Sequence, residues 1–399
     1  MKIGIVWDNG VSKWMAQMFE PLADINGADA TLFVGEKNKH DVKDIKLKMQ
    51  RLTHREEILL GAARPAESIG RLVGAPFKKM DFYYNSLGKY LEGMDVVESS
   101  EASRTLYTAA CLKKRGMRFK LIMSCAENIP YRQVFDDKSI YVKRSCYGAV
   151  DHFIPWCDTI KKTMLLEGFP EEKITTVYTG LDTELFKPVD RDAALLREFD
   201  VPAGDMVILY VGKLATWKGV QMLPYAAKAL LQRGYKAFTF LIAGKGAQFD
   251  NIQKIIKEAG IERHFRYAGF VPYMEMRRLY SSADIFVMPS FPTMLMQEQF
   301  GMVLVEAMAC KVPPVASATG SIPEIVGDAG LTFIPGDFFG LADKIAFLMD
   351  NAALRKELGE KGRRRSLAHF DAKKNALKIY GIYEKALACP RVPSAGGGK

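Results

Sequence analysis

The chain has 399 residues, 48% of them hydrophobic and 26% charged, and a formal net charge of +10. Its length exceeds one ordinary hydrophobic core and implies two domains. The composition is that of a soluble globular protein, with no apolar run long enough for a membrane-spanning helix. The positive charge lies mostly in residues 191–399 and admits nucleic acid, anionic membrane or anionic small molecules as partners. No zinc-finger, RNP-type or Lys/Arg-tract motif supports nucleic acid. The densest cluster, Arg363-Arg364-Arg365, reads as a solvated helix end. Six cysteines without Cys-x-x-Cys or zinc spacing, several in apolar segments, imply reduced thiols and a cytoplasmic location.

Residues 2–7 form an apolar strand, too short for a signal peptide, that ends at Asp8-Asn9-Gly10. Ser12 is a candidate cap for a following helix with Trp14, Met15, Met18, Phe19 and Leu22 at helical spacing, and Ala30 to Val34 is the next strand. This strand-loop-helix-strand opening is the doubly wound signature, in which ligands sit beyond the carboxyl ends of the strands. Asn9 and Gly10 are therefore candidates for lining the inter-domain cleft. Residues 36–55 interleave basic residues with Val42, Ile45, Leu47, Met49 and Leu52. Two readings stand: an amphipathic helix on the core, or a surface for anionic lipid head groups. Phe82, Tyr83, Tyr84 and Tyr90 either face a ligand or pack. Further strands are expected at residues 95–98, 119–125, 152–155 and 174–178, with helices at 102–114 and up to Tyr147. The loop Ala126-Glu127-Asn128-Ile129-Pro130 follows the 119–125 strand.

Residues 188–205, polar and containing Pro188 and Pro202, read as a hinge. Asp190-Arg191-Asp192 inside it has a metal-binding spacing but no preceding strand, so chance is the better reading. Beyond the hinge, strands at 206–211, 237–243, 265–268 and 285–288 alternate with helices at 220–232, 249–259 and 273–281. Such alternation implies a parallel sheet with helices on both faces. Gly244-Lys245-Gly246 starts a dinucleotide-type motif but lacks its third glycine, and no Walker A spacing occurs.

The stretch Glu298 to Ala309 stands out. It reads as a loop acid, then Gly301, then a helix over Met302 to Cys310 that is apolar on nearly every face. A glycine at a loop-to-helix junction lets peptide N–H groups approach an anion, which a helix N-terminus favours. Glu306 lies inside that helix and needs hydrogen-bond partners, either a structural Lys or Arg or a ligand's hydroxyl pair. Upstream, Gly212-Lys213-Leu214-Ala215-Thr216-Trp217-Lys218-Gly219 follows a strand. Its lysines are either solvated or aimed at phosphate.

Glu298 and Glu306 eight positions apart, with the Gly212–Gly219 stretch, Gly180-Leu181-Asp182-Thr183-Glu184-Leu185-Phe186, Gly269-Phe270-Val271-Pro272, Leu279-Tyr280-Ser281-Ser282-Ala283-Asp284 and Gly320-Ser321-Ile322-Pro323-Glu324, resemble the retaining glycosyltransferases of family 4. The resemblance is strong over residues 140–340 and weak before them. It implies the GT-B fold, two Rossmann-like domains facing a cleft. The expected divisions are 1–188 on the acceptor side, 189–370 for the donor, a helix over 371–388 crossing back, and a tail at 389–399. It further implies a nucleotide-diphosphate sugar as donor, without cofactor or metal, and a glycan, lipid-linked or small-molecule acceptor. Lys213 and Lys218 would meet the leaving diphosphate with the amides of Gly301, Met302 and Val303, while Glu298 holds the sugar and Glu306 the ribose. Gly212 and Phe300 flank this cradle, and Phe270 and Val271 would seat the base. Many relatives carry a His in the loop after the 119–125 strand. Here Glu127, with Asn128 beside it, either takes that place or is a turn residue ahead of Pro130. Two carboxylates alone also fit a glycosidase, but hydrolysis has no use for a diphosphate cradle. The missing His keeps open a catalytically silent relative, a sugar-nucleotide sensor or scaffold.

Overall fold

The computed structural model describes residues 1–7, 10–36, 38–52, 87–101, 103–135 and 137–389. Asn9, the aromatics Phe82, Tyr83 and Tyr84, and the tail from residue 390 fall outside them. The chain divides into two compact units. One comprises Met1–Trp156, Lys161–Val177 and Lys373–Lys399; the other comprises Cys157–Ile160 and Tyr178–Ala372.

The first unit holds a six-stranded parallel sheet of β1 (Lys2–Trp7), β2 (Asp29–Gly35), β3 (Lys48–Leu52), β4 (Val96–Ser100), β5 (Lys120–Cys125) and β6 (His152–Pro155), in the order β3-β2-β1-β4-β5-β6. Strands β1, β2 and β5 are continuous apolar runs because both faces of a parallel sheet are covered. Three expectations fail. The described residues of the basic stripe hold no helix: residues 48–52 form the edge strand β3, Ile45 and Leu47 before it and Leu52 at its end are buried, and Lys43, Lys46, Lys48 and Arg51 are exposed. Residues 174–178 contribute only an isolated bridge from Ile174 to Phe153. The first helix is a single turn, Lys13–Ala16, and Ser12 makes no side-chain cap. Pro21 follows in the 3-10 turn Glu20–Asp24, where its ring would break a continuing helix. Lys13 and Glu20 form a buried ion pair at 2.7 Å, and the Lys13 ammonium also donates to the Asp44 carbonyl at 2.9 Å.

The C-terminal helix Ala372–Ala388 packs Ala376, Ile379, Ile382, Tyr383 and Ala386 into this unit's core. Its Tyr383 hydroxyl donates to Glu98 in β4, as does the Ser124 hydroxyl in β5. Burial pushes the Glu98 carboxyl up to about 7.

The second unit holds β7 (Met206–Val211), β8 (Phe238–Ala243), β9 (Phe265–Gly269), β10 (Ile285–Met288), β11 (Pro314–Ser317) and β12 (Leu331–Phe333), in the parallel order β12-β11-β10-β7-β8-β9. Proline is tolerated at the first residue of β11. Arg363 and Arg365 do not form a solvated helix end. Arg363 donates to the carbonyls of Thr183, Phe186 and Ala309, and Arg365 to those of Glu324 and Ile325. Asp192 caps the helix Ala193–Glu198 and pairs with Arg278 at 2.7 Å, which is a structural task. Among the described residues no helix is long and apolar enough to cross a membrane.

Candidate functional site

The carboxyl ends of β7 and β10 are adjacent, since these strands pair through Ile285 and Ile208. Glycines bring their loops together. Gly219 has φ 69°, and a Cβ there would stand 1.7 Å from the Pro289 carbonyl oxygen. The Phe291 amide donates to the Trp217 carbonyl at 2.7 Å, tying the two loops. A substituted Gly219 would force them apart.

This closeness unites two of the sequence candidates. The Lys218 ammonium lies 2.6 Å from Glu298 Oε2, which also accepts the Ser290 hydroxyl at 3.1 Å. Lys218 sits 4.2 Å over the Trp217 ring. An ammonium has three donors, so the ion pair orients Lys218 without exhausting it. Lys213 is exposed and, among the described residues, has no ion-pair partner.

Gly301, with φ 84°, starts the helix Met302–Ala309. The first N–H groups of a helix lack intrahelical acceptors, and the macrodipole makes that end favourable to an anion. Phe300 is buried beside Tyr178 and Phe370, so it anchors the loop. Glu306 is 3% exposed. Its oxygens accept the Tyr280 hydroxyl at 2.7 Å and the Tyr273 hydroxyl at 3.2 Å. The expected alternative, a structural Lys or Arg, does not occur among the described residues. Burial pushes the carboxyl up to about 7, against the lowering effect of the two phenols. Beyond β9, Phe270 is 71% exposed and Val271 half-buried.

The acceptor-side candidates lie in the first unit. Gly10 is exposed. Glu127 accepts the Ile129 amide at 3.0 Å and pairs with Arg132 at 3.2 Å, the bonding of a turn residue. Burial raises its pKa, an effect opposed by those two partners. The Asn128 carbonyl accepts from the Thr163 hydroxyl at 3.2 Å. Among the described residues no cluster of three or more His, Cys, Asp or Glu is placed to hold a metal ion.

Sequence reasoning missed Ser290, Tyr273 and Tyr280 as supports of the two acids. It also missed Glu324, whose carboxylate accepts the Asp158 and Thr159 amides at 2.7 and 2.8 Å. Tyr280 and Glu324 stood inside recognised motifs, and a buried acid's need for donors was the available signal.

The model of the family described as glycosyl transferases group 1 matches residues 193–365, which carry this cradle. A D-inositol 3-phosphate glycosyltransferase of Corynebacterium glutamicum is 30% identical over 226 residues, 54% of this chain and 53% of that protein. An N-acetyl-alpha-D-glucosaminyl L-malate synthase of Bacillus anthracis is 28% identical over 55% of each. The chain thus spans about half the length of the curated relatives it matches. Among solved structures, Anabaena HepE in complex with UDP matches with a TM-score of 0.76 at 19% identity, over 96% of this chain and 100% of that one. At that identity the likeness speaks for the fold alone, and that fold is GT-B.

Proposed function

We propose that the protein is a retaining, metal-independent glycosyltransferase that moves a sugar from a nucleotide-diphosphate donor to a glycan, lipid-linked or small-molecule acceptor. The observation that carries this reading is the joining of Lys218, Glu298 and Ser290 beside the Gly301 helix start. Breaking the sugar–phosphate bond leaves negative charge on the diphosphate. Preorganised cations and amides stabilise that charge most where they are already oriented. Lys218 is oriented by Glu298, Lys213 is free of an ion pair among the described residues, and the Gly301–Val303 amides complete the set. Two lysines and a helix end supply the positive charge that a metal would otherwise provide. Glu298 holds sugar hydroxyls and Glu306 the ribose diol, since a carboxylate accepts two hydrogen bonds. Phe270 and Val271 take the base.

The relatives' names include inositol phosphate and malate, which supports small polar acceptors alongside glycans. Acceptor contacts are assigned to the first unit at Asn9, Gly10, Glu127 and Asn128. The exposed Lys43, Lys46, Lys48 and Arg51 support a peripheral cytoplasmic-face encounter with anionic lipid. The bonding of Glu127 to Ile129 and Arg132 favours one second reading, a silent relative that senses sugar nucleotides.

A donor panel incubated with inositol phosphate, malate and lipid-linked glycan acceptors, followed by nuclear magnetic resonance of the product's anomeric centre, tests the proposal. Product with retained configuration supports it. Binding without turnover makes the protein a sensor, and inverted product removes the retaining mechanism.

A further inference from the structure

The ends of β7 and β8 continue to pair past their last strand residues. Val211 is in register with Ala243, and the Gly212 amide donates to the Ala243 carbonyl at 3.0 Å. Two residues on, the Leu214 amide donates to the Lys245 carbonyl at 3.0 Å, repeating the parallel pattern. Lys213 and Lys245 therefore occupy neighbouring register positions on adjacent chain segments.

Glycines hold these segments rigidly together. Gly244 has φ 145°, and a Cβ on it would stand 1.9 Å from the Gly212 carbonyl oxygen. A Cβ on Gly246 would stand 2.3 Å from the Leu214 carbonyl oxygen. The Gln248 amide reaches the Leu214 carbonyl at 3.0 Å, and its side chain reaches the Thr216 hydroxyl at 3.0 Å. The close packing sets the backbones of the two lysines on adjacent segments. Both are exposed, and among the described residues neither has an ion-pair partner. Like charges opposite one another on adjacent strands are destabilising. A fold that clamps such a pair with three glycines leaves a place for an anion between them.

The position says which anion. Across the sheet, β10, β7, β8 and β9 lie in that order, about 4.8 Å apart. Their ends carry, in turn, the Glu298–Gly301 turn, Lys213 with Lys218, Lys245, and Phe270. Lys245 thus stands between the diphosphate cradle and the base seat. We infer that Lys245 is a further phosphate-binding residue that shares the donor's diphosphate with Lys213. This rests on the donor reading above, and its chemistry is charge on phosphate rather than recognition of base or sugar.

Calorimetry with uridine, adenosine and guanosine, each as nucleoside and as diphosphate, tests it on the full chain. Lys245→Ala should weaken the best-bound diphosphate about tenfold or more, as for a charge-assisted hydrogen bond. The corresponding nucleoside should bind as to wild type, Lys245→Arg should restore most of the loss, and the salt dependence of diphosphate binding should flatten in Lys245→Ala. Equal diphosphate affinity in wild type and Lys245→Ala overturns the inference and leaves the donor reading intact. An equal loss for nucleoside and diphosphate also overturns it, because the lysine then shapes the loop. No binding of any diphosphate by wild type removes the donor reading, and this inference with it.

Discussion

In the second unit, the loops leaving β7 and β8 are set by glycines pressed against backbone, and they leave Lys213 and Lys245 exposed. In the first unit, the loops leaving β4 and β5 are set by acids turned onto backbone. Glu101 accepts the amides of Ala126 and Glu127, and Glu127 accepts that of Ile129. Burial, and then the neighbouring Glu127 charge, pushes Glu101 up to about 8. Two sheets of the same size and parallel order thus finish in different chemistry. In the glycine-set loops Lys213 and Lys245 stay exposed and, among the described residues, without an ion-pair partner. In the first unit's loops the acids already hold backbone amides.

The sharpest way to break this comparison is to add one methyl group to each unit. Gly219→Ala drives a Cβ into the Pro289 carbonyl and requires a left-handed alanine. It should lose about 3 kcal/mol or more of stability. Gly148→Ala in the first unit meets nothing within 4 Å and should stay within about 0.5 kcal/mol. Denaturant unfolding of both variants checks the contrast, and similar midpoints would mean that the cradle is not glycine-set.

Next in size is the effect on transfer. Lys218→Ala should lower it by about two orders of magnitude, as for loss of a preorganised charge donor. Glu127→Gln should lower it about tenfold at most, with nucleotide affinity nearly unchanged. Rates measured at saturating donor decide. A larger loss in Glu127→Gln would return that acid from turn to chemistry.

Titration sharpens the comparison further, because each unit buries one acid beneath tyrosine hydroxyls. Glu98 and Glu306 each rise from 4.5 to about 7. The folded chain therefore keeps protons that the unfolded chain has released. Their contribution is full below about pH 4.5 and is lost as pH rises towards 7. Glu98→Gln should flatten that loss, by an amount on the order of 2–3 kcal/mol between pH 5 and 8. Chemical denaturation at both pH values reads it, and an unchanged slope would assign the pH dependence elsewhere.

The smallest expected effect concerns β3. Its Lys48 and Arg51, with Lys43 and Lys46 just before it, should give weak, salt-sensitive sedimentation with anionic vesicles, lost above the screening range. No sedimentation at low salt removes the membrane encounter.

The second unit was more legible than the first for a physical reason. Its strands from 206 to 288 are long apolar runs separated by amphipathic helices, and periodicity finds both. β11 and β12 went unread: β11 opens on a proline, which argues against a central strand, and β12 has only three residues. In the first unit, β3 was hidden because an edge strand with one wet face carries as many charges as a surface helix. The cradle's lysines and acids were legible as residue types. The pairing of Lys218 with Glu298 was not, since it depends on Gly219 meeting Pro289 across seventy residues of sequence. Nor were the tyrosines under Glu306, because a phenol in an apolar segment reads as packing.

The central claim is that the glycine-set end of the second sheet is a nucleotide-diphosphate sugar site, and ligand-dependent thermal unfolding tests it most directly. A ligand that binds only the folded state at 100 times its dissociation constant adds about 2.7 kcal/mol. Screened against a panel of nucleotide sugars, the wild-type protein should show a clear, concentration-dependent rise in Tm with at least one donor. That rise should shrink strongly in a Lys213→Ala, Lys218→Ala double variant that itself remains folded. No rise with any donor, or a rise of equal size in the double variant, would contradict the account.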